Sequence, residues 1–452
     1  MKLSVVGCGY LGAVHAAAMA QLGHDVVGYD VDRDKVAQLN HGQAPFFEPG
    51  FPELLAETLA SGRLTFTTDP SELASCTLHF IAVGTPQVDG GYAANLDYIN
   101  QAVATISDHL HTDAPVVIAG KSTVPVGTAS TLETAFKDAA ARTGAQVSLA
   151  WNPEFLREGF AVNDTLHPDR IVYGLSDDTD DATIAQHCLD ECYRRLLDEG
   201  IPRLVMNHPT AELVKVAANS FLATKISFIN AMSELCEATG ADVTKLATAI
   251  GHDDRIGSKF LRAGIGFGGG CLPKDIRAFM ARASELGLGD TLNFLNEVDS
   301  INLRRRNHAA ELAVELCGGS IDRVKVTVLG ATFKPNSDDL RDSPAIAIAQ
   351  TLVDWGAQVT ITDPAGVANV QARYPQFRAT ESLDEALRGA QVVLLLTEWK
   401  DYQDLDPVWA RSLVAEPKMV DGRNVLDPQA WVDAGWQFRA MGRPTPTPRR
   451  EQ

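Results

Sequence analysis

A single cysteine follows a run of glycines in the segment GFGGGCLPKD, residues 266–275. Lys274 lies just beyond Cys271, and a helix is predicted to begin near Asp275. A neighbouring cation and the positive end of a helix both favour the thiolate, which is the nucleophilic form of cysteine. The glycines would let the backbone wrap closely around a sugar or a phosphate. The alternative for Cys271 is a buried, unreactive thiol, which is also the expected state of the other cysteines.

A second stretch, WNPEFLREG (residues 151–159), combines two carboxylates with the signals of a helix start. Asn152 is a favourable helix cap, and Pro153 fits the first helical position. The spacing therefore predicts a short helix with Glu154 and Glu158 on one face. Because like charges at this spacing cost some stability, the pair indicates a functional use.

A third pair lies on a long apolar helix that is predicted to begin near residue 209. Lys215 and Asn219 are four residues apart and so share one face of this helix. A lysine among apolar neighbours often only extends its charged end to solvent. Together with the asparagine it could instead form a cationic cradle for an oxyanion.

The N-terminal loop GCGYLG has the spacing of a dinucleotide-binding fingerprint at Gly7, Gly9 and Gly12. It follows a predicted strand and opens a predicted helix, so its free N–H groups can face a pyrophosphate. Asp30 ends the next strand and would accept hydrogen bonds from both ribose hydroxyls. It would also repel a 2′-phosphate, which favours NAD over NADP. Asp32 is the alternative acid.

These groups together favour the oxidation of an alcohol to an acid. One hydride transfer to NAD gives an aldehyde. An aldehyde has no second hydride to give until a nucleophile has added to it, so the thiol of Cys271 is required for the second transfer. A thioester formed in this way is then hydrolysed by water.

The elements that must position these groups form an α/β fold. Strand and helix patterns alternate up to about residue 208, a helical section covers 209–317, and the α/β pattern restarts for 318–440. The sequence therefore predicts two Rossmann-like, doubly wound parallel-sheet domains joined by a central long-helix section. The second loop, at Gly330, lacks the fingerprint and is expected to hold another phosphate-bearing ligand or to close over the first. The Pro-rich tail, 441–452, is predicted to be disordered.

Composition narrows the classes of partner and compartment. The net charge of −19 argues against nucleic acid and anionic membranes. The longest apolar runs are too short for a membrane helix, and glycines interrupt the N-terminus, which predicts no signal peptide. The cysteine number is odd and lacks a CxxC pair, which favours reduced thiols in the cytoplasm and no metal site.

Seven motifs, in order along the chain, resemble the UDP-glucose 6-dehydrogenase family. They are GCGYLG, VGTP (83–86), KSTVPVGT (121–128), NPEFLREG (152–159), VKVAAN (214–219), GFGGGCLPKD and FKPNSDDLRDSP (333–344). The resemblance covers residue 1 to about 440. It implies NAD as cofactor, UDP-glucose as substrate and a homodimer or higher homo-oligomer, with the active site in the cleft between an NAD-binding and a UDP-binding domain.

The resemblance also assigns roles to residues. The nucleophile falls on Cys271, with the oxyanion-stabilising pair on Lys215 and Asn219. The role of assisting thioester hydrolysis falls on Glu158, and Thr123 and Asp275 complete the catalytic set. Cofactor contacts are implied at Gly7, Gly9, Tyr10, Leu11, Gly12, Asp30, Lys35, Thr85, Thr123, Glu158, Lys274 and Arg341. Substrate contacts are implied at Glu154, Phe155, Leu156, Lys215, Asn219, Arg255, Phe260, Gly268, Lys334 and Arg423, of which Arg255 reaches the partner subunit's substrate.

Two other functions stay open on the sequence. GDP-mannose 6-dehydrogenase would use the same chemistry on another base and sugar. A non-catalytic NAD-binding regulator would need only the fingerprint, which leaves Cys271, Lys215, Asn219 and Glu158 unexplained. One departure from the family pattern is Gly270, where many relatives are expected to have serine.

Overall fold

The computed structural model describes residues 1–110 and 113–449. The chain divides into two units, each built from separate stretches of sequence. The first unit contains Met1–Ala218 and Arg277–Gly287. The second contains Asn219–Ile276 and the chain from Leu288 onward. Each unit is built around one sheet, and a long helix runs from the first unit into the second, so the predicted fold class is confirmed.

The sheet of the first unit has eight strands. They are β1 Lys2–Val6, β2 Asp25–Tyr29, β3 Leu64–Thr67, β4 Leu78–Ile81, β5 Val116–Gly120, β6 Val147–Trp151, β7 Ile171–Leu175 and β8 Arg203–Asn207. Their order is β3-β2-β1-β4-β5-β6-β7-β8. The described neighbours pair in parallel except β6 and β7, which are antiparallel and depart from the all-parallel expectation. The order reverses between β1 and β4, where ligands bind in such sheets.

Helices cover both faces of this sheet. They are α1 Tyr10–Gln21, α2 Arg33–Asn40, α3 Phe51–Ala60, α4 Asp97–Ser107, α5 Thr128–Thr143, α6 Ala161–Leu166, α7 Thr179–Cys192 and α8 Arg194–Asp198, with a 3-10 turn at Pro70–Ser75. Neighbouring residues of β1 belong to different cores, because Val5 packs in one apolar cluster and Val6 in another. Side chains alternate between the faces of a strand, so the two clusters lie on opposite faces.

Four helices follow the first sheet. They are α9 His208–Thr239, α10 Val243–Gly251, α11 Leu272–Glu285 and α12 Phe294–Leu316, with a 3-10 turn at Gly289–Leu292. The long helix predicted to begin near residue 209 is confirmed as α9. Gly240, directly after α9, has a φ of 76°, a left-handed conformation that glycine adopts without a Cβ clash.

The sheet of the second unit has six strands. They are β9 Lys325–Leu329, β10 Gln358–Thr362, β11 Arg378–Ala379, β12 Val392–Leu395, β13 Lys418–Asp421 and β14 Gln437–Ala440. All described pairs are parallel, in the order β11-β10-β9-β12-β13-β14. The first six strands of the eight-stranded sheet, β3-β2-β1-β4-β5-β6, are arranged in the same way. The helices are α13 Pro344–Asp354, α14 Val367–Arg373, α15 Leu383–Leu387, α16 Lys400–Gln403, α17 Pro407–Leu413 and α18 Pro428–Asp433.

The segment predicted as a disordered tail begins with defined contacts. Met441 is buried, and the Gly442 N–H donates to Glu237 Oε1 at 2.8 Å. Gly442 O accepts from the Val243 N–H at 2.9 Å. Residues 450–452 of this segment lie outside the described residues. In the part of the chain that the structure covers, no helix is both long and apolar enough to cross a membrane.

Candidate functional site

The loop between β1 and α1 meets the steric demands of a dinucleotide. Gly7 has a φ of 94°, and a Cβ at Gly12 would lie 1.7 Å from the carbonyl oxygen of Gly7, so neither position tolerates a side chain. A Cβ at Gly9 would meet no atom within 4 Å. Gly9 is also exposed, directly before the N-terminus of α1, so it leaves open space there for a pyrophosphate.

Asp30 lies at the end of β2 and is bonded to this loop. Its Oδ2 accepts from the Cys8 N–H at 2.8 Å and from Lys35 Nζ at 3.0 Å. Its Oδ1 accepts from the Asp32 N–H at 3.0 Å. Asp32, the alternative acid, instead caps α2 by accepting from the N–H groups of Asp34 and Lys35. This geometry favours Asp30 as the acid that faces a ribose.

Two threonines predicted to contact the cofactor lie beyond the neighbouring strands β4 and β5. Thr85 is buried, and its Oγ1 donates to the Thr123 carbonyl at 2.7 Å. The two loops are thereby joined beside the point where the strand order reverses. Thr123 itself is half-buried.

The segment 152–159 is not the short helix that the sequence predicts. Residues 152–157 have no regular secondary structure. The Asn152 side chain does not cap a helix: its Nδ2 donates to the Val172 carbonyl at 2.9 Å, and its Oδ1 accepts from Lys121 Nζ at 3.0 Å and Tyr193 OH at 2.7 Å. These partners bind the Asn152 side chain in place of the backbone N–H groups that a helix cap would bind. No helix forms here, so the prediction that Glu154 and Glu158 share one helical face is wrong.

The predicted substrate contacts in this segment surround a lysine of α9. Lys215 is buried and its Nζ donates to Glu154 Oε1 at 2.9 Å. The same Nζ lies 5.7 Å from the centre of the Phe155 ring, within reach of a cation–π contact. Glu154 Oε2 accepts from the Leu156 N–H at 2.6 Å, and Leu156 is half-buried. Lys215 therefore has an ionic partner and does not extend to solvent.

Glu158 is buried, and the residue after it is bonded to the dinucleotide-binding loop. The Gly159 N–H donates to Tyr10 OH at 2.9 Å and to Glu48 Oε2 at 2.6 Å. Tyr10 OH also donates to Glu48 Oε2. Burial, and then this bond, raise the pKa of Tyr10. Leu11, beside Tyr10, packs against the core of the first sheet.

In the second unit, Cys271 directly precedes α11. The Asp275 N–H donates to the Cys271 carbonyl at 2.8 Å, which is the first hydrogen bond of the helix. The helix thus begins at Leu272, earlier than the predicted start near Asp275, and places the cysteine at its positive end. Cys271 is exposed, in contrast to the other six cysteines, which are buried or half-buried.

A buried carboxylate links three predicted residues near this helix start. Asp275 is 1% exposed. Its Oδ2 accepts from Asn219 Nδ2 at 2.7 Å, and its Oδ1 accepts from Lys274 Nζ at 2.7 Å. The amide of Asn219 is thereby held in one orientation, and the charge of Lys274 is balanced.

The glycine run before Cys271 packs against its own chain. A Cβ at Gly266 would lie 2.2 Å from Asn302 Oδ1, and one at Gly268 would lie 2.2 Å from the Asp342 carbonyl. At Gly269 it would meet the Phe333 ring at 2.7 Å, and at Gly270 the Arg341 guanidinium at 2.5 Å. Protein atoms beside Gly266, Gly268 and Gly269 therefore already require the small size of these glycines, whereas the arginine beside Gly270 is a flexible side chain.

Three polar side chains hold the backbone of this glycine run. Asn302 accepts from the Phe267 N–H at 2.7 Å and donates to its carbonyl at 2.9 Å. Arg306 donates to the same carbonyl at 2.9 Å, and Arg423 donates to the Gly266 carbonyl at 2.9 Å. Sequence reasoning missed Asn302 and Arg306. The available signal was the presence of polar residues at core-facing positions within the helical section predicted for 209–317.

The remaining predicted substrate and cofactor residues have mixed surroundings. Arg255 is exposed and paired with Asp253 at 2.6 Å. Phe260 has a φ of 64°, a strained conformation for an aromatic residue. Lys334 Nζ lies 5.1 Å from the centre of the Phe333 ring. Arg341 is exposed and pairs with Asp339 at 2.7 Å.

The fingerprint loop, Asp30 and the strand order define a dinucleotide-binding protein of the Rossmann class. Family models of the UDP-glucose/GDP-mannose dehydrogenase family match almost the whole chain: the NAD binding domain over residues 1–197, the central domain over 209–304 and the UDP binding domain over 327–428. The chain belongs to this family. Its predicted identity as a dehydrogenase with NAD as cofactor is confirmed.

Individual relatives are similar to this chain over all or nearly all of their length. The chain is 41% identical to a UDP-glucose 6-dehydrogenase of Rhizobium meliloti, covering 98% of this chain and 100% of that protein. It is 38% identical to UDP-glucose 6-dehydrogenase YwqF of Bacillus subtilis, over 99% of both. A solved UDP-glucose dehydrogenase of Pyrobaculum islandicum matches with a TM-score of 0.87 and 36% identity over 98% of both chains.

Proposed function

We propose that the protein oxidises UDP-glucose to UDP-glucuronate with two equivalents of NAD. The observation that carries this proposal is the full-length similarity to relatives named UDP-glucose 6-dehydrogenase, at 36–41% identity. The UDP binding domain over 327–428 supports the nucleotide, and the open space at Gly9 fits a dinucleotide. GDP-mannose is the second candidate substrate, because the same family includes dehydrogenases of both nucleotide sugars.

Cys271 is the proposed nucleophile. NAD, when bound, accepts the hydride of each oxidation. In the first, the C6 alcohol also loses its hydroxyl proton to solvent and becomes an aldehyde. The Cys271 thiolate adds to the aldehyde carbon, and the oxygen takes up a proton to give a thiohemiacetal. Loss of a second hydride and of the hydroxyl proton gives a thioester. Water attacks this carbon, Cys271 leaves as thiolate, and the acid is released.

The helix start supports this role for Cys271. The positive end of α11, a feature of the second unit, favours a thiolate. Exposure of the residue gives a substrate access to it. The reaction needs no dedicated base for the thiol if the helix stabilises the anion.

Lys215 and Asn219 are proposed to stabilise the oxyanion. They lie one helical turn apart on α9, and each is oriented by a carboxylate, Glu154 for the lysine and Asp275 for the asparagine. An oriented N–H donor needs no reorganisation when charge develops on oxygen. Glu158 is proposed to assist the attack of water on the thioester, and Thr123 to hold that water.

The ligand contacts implied by the family resemblance are also proposals. On the cofactor side they are Gly7, Gly9, Tyr10, Leu11, Gly12, Asp30, Lys35, Thr85, Thr123, Glu158, Lys274 and Arg341. On the substrate side they are Glu154, Phe155, Leu156, Lys215, Asn219, Arg255, Phe260, Gly268, Lys334 and Arg423. The strained backbone of Phe260 supports its place in this set, since such strain collects at ligand sites. The division into domains at 208, 317 and 440 stays a prediction.

A homodimer or higher homo-oligomer is proposed from one face of α9. Phe221, Phe228 and Leu235 recur every seven residues and are 67%, 50% and 58% exposed. This spacing puts them in one stripe along the helix, which is typical of a seam between helices. Arg255, with its exposed guanidinium, is proposed to reach the substrate of the partner subunit. The proposed compartment is the cytoplasm, which suits seven thiols.

Stoichiometry tests the reaction. With UDP-glucose limiting, we expect two NADH per sugar and no free aldehyde, because Cys271 holds the intermediate between the two oxidations. Cys271→Ser should abolish net formation of the acid, since a serine hydroxyl is a far weaker nucleophile at neutral pH. One NADH per sugar, or a Cys271→Ser variant as fast as the wild type, would exclude the thioester. Turnover of GDP-mannose without turnover of UDP-glucose would overturn the substrate alone.

A further inference from the structure

A buried glutamate from outside the predicted site holds the backbone directly after Glu158. Glu48 precedes α3 and is 2% exposed. Its Oε2 accepts from the Gly159 N–H and its Oε1 from the Ala161 N–H, both at 2.6 Å. Ala161 is the first residue of α6, so the carboxylate satisfies two N–H groups that a helix start would leave unbonded.

The first unit uses the same arrangement once more. Glu212 is also 2% exposed, and it accepts from the N–H groups of Gly127 and Ala129 at 2.7 Å, at the start of α5. The two glutamates thus fix the loops that follow the neighbouring strands β5 and β6. This repetition indicates that both loops require a defined backbone, which a passive surface loop does not.

Glu48 differs from Glu212 in a further contact. Tyr10, the first residue of α1 in the fingerprint loop, donates its hydroxyl proton to Glu48 and accepts the Gly159 N–H. Three groups therefore share hydrogen bonds: the loop predicted to bind the dinucleotide, a buried carboxylate and the residue after Glu158. All of them lie in the first unit.

The segment that carries Glu158 needs such an anchor. Residues 152–157 have no regular secondary structure, so no helical ladder fixes them. At its beginning the segment is held by Asn152, which is bonded to Lys121, Tyr193 and the Val172 carbonyl. At its end the bonds of Gly159 and Ala161 to Glu48 complete the support. With the bond from the Arg157 N–H to Asp164 Oδ2 at 2.9 Å, they hold the backbone on both sides of Glu158.

We propose that Glu48 is a positioning residue that fixes Glu158 relative to the dinucleotide-binding loop, through Gly159 and Tyr10. The inference rests on the proposed function in one respect, namely that Glu158 assists hydrolysis of the thioester. Displacing a catalytic group by a fraction of an ångström to an ångström slows its own step, roughly 10- to 100-fold, more than it slows other steps. Loss of Glu48 should therefore slow hydrolysis and spare hydride transfer.

Glu48→Gln is the test variant, because glutamine keeps the size but turns an N–H toward one of the two backbone N–H groups. On rapid mixing with saturating NAD and UDP-glucose, we expect a burst of about two NADH per active site. The steady rate that follows should be roughly 10- to 100-fold below the wild type. A covalent adduct on Cys271 should accumulate, and Glu158→Gln should show the same pattern.

Asp178→Asn is the matched control. Asp178 also accepts from two backbone N–H groups at a helix start of the same unit, those of Asp180 and Asp181 at α7, yet it touches neither Glu158 nor Tyr10. It should lower the melting temperature without a burst. Equal slowing of hydride transfer and hydrolysis in Glu48→Gln, or kinetics matching those of Asp178→Asn, would overturn the proposal.

Two further measurements keep the result unambiguous. If Glu48→Gln does not fold, Glu48→Asp keeps the charge but shortens the reach to Gly159 and Ala161 and should give the same burst, and its absence there would overturn the proposal. Failure of the wild type to form NADH from UDP-glucose would refute the proposed function instead. In that case faster hydrogen exchange at Gly159 and Ala161 in Glu48→Gln, relative to Asp178→Asn, still supports the anchor, and unchanged exchange refutes it.

Discussion

The two sheets share a strand order but use the acid at the end of their second strand differently. In the first, Asp30 accepts from two backbone N–H groups and from Lys35. In the second, Asp363 lies at the equivalent place after β10 and is 2% exposed. Its oxygens accept from six donors: the N–H groups of Ala331, Thr332, Ala365 and Gly366, the hydroxyl of Thr332 and the indole of Trp399.

The difference separates the acid that is proposed to bind a ribose from one whose oxygens are bonded within the protein. A carboxylate offers about four lone-pair directions, and the six donors around Asp363 fill them. Thr332 follows Gly330 at the interval at which Gly9 follows Gly7, and its hydroxyl donates to Asp363 Oδ2 at 3.0 Å. At this one strand end, therefore, the acid of the first unit is proposed to face a ribose, while the acid of the second unit is bonded within the protein. The two acids differ in whether donors of the protein itself occupy all the lone pairs of the carboxylate.

Asp363→Ala should give the largest effect, and it should be on stability. Removing the carboxylate leaves several buried N–H groups without an acceptor, so we expect the free energy of unfolding to fall by about 4 kcal/mol. The ratio of kcat/KM for NAD and NADP should not change. Urea denaturation and steady-state kinetics measure the two quantities. A loss below about 1 kcal/mol, or a changed cofactor ratio, would remove the distinction between the two acids.

The fifth strand of each sheet offers a second contrast, of opposite charge. Lys121 follows β5 and is buried, which lowers its pKa to about 8. Asp421 ends β13, and burial raises its pKa. From about pH 8 to pH 10.5, the ordinary pKa of lysine, the unfolded chain binds more protons at Lys121 than the folded chain does. The free energy of unfolding therefore rises with pH in this window.

Relative to a Lys121→Met variant, the wild type should gain about 3 kcal/mol between pH 8 and pH 10.5. Below pH 8 both states hold the proton, so the difference between the two proteins should be flat near neutral pH. Denaturation of both proteins across this range provides the measurement. Parallel curves throughout would show that Lys121 keeps its ordinary pKa in the folded chain.

Asp30→Ala should give the smallest change in free energy but the most specific one. Loss of two hydrogen bonds from ribose hydroxyls to a charged acceptor should lower kcat/KM for NAD by about 10- to 100-fold. The preference over NADP should relax, because no carboxylate repels the 2′-phosphate. Kinetics with both cofactors test this. An unchanged preference would transfer the role to Asp32, which the structure uses as a helix cap.

Sequence patterns predicted the features whose causes are local. The GCGYLG spacing and the acid that follows it identify the dinucleotide loop, and the helix from near residue 209 ends at Gly240 as its pattern requires. In each case the residues that make the structure are neighbours in the chain, so a short window contains the physical reason.

Features with distant causes were missed or mistaken. Asn152 looks like a helix cap, but its partners come from Lys121, Val172 and Tyr193, which no local window contains. Glu48 acts on a backbone 111 residues away. The glycines before Cys271 suggest a ligand, but Asn302, Phe333 and the Asp342 carbonyl also exclude larger side chains there. Nothing near these positions indicates which distant side chain will compete for them.

The bond from Arg423 to the Gly266 carbonyl also has a consequence for the order of synthesis. The two residues are 157 positions apart, so the ribosome completes most of the second sheet before this carbonyl can find its donor. Until then the glycine segment lacks part of the support that offsets its large entropy loss on ordering. The segment around Cys271 is therefore expected to be among the last parts of the chain to acquire its final form during translation.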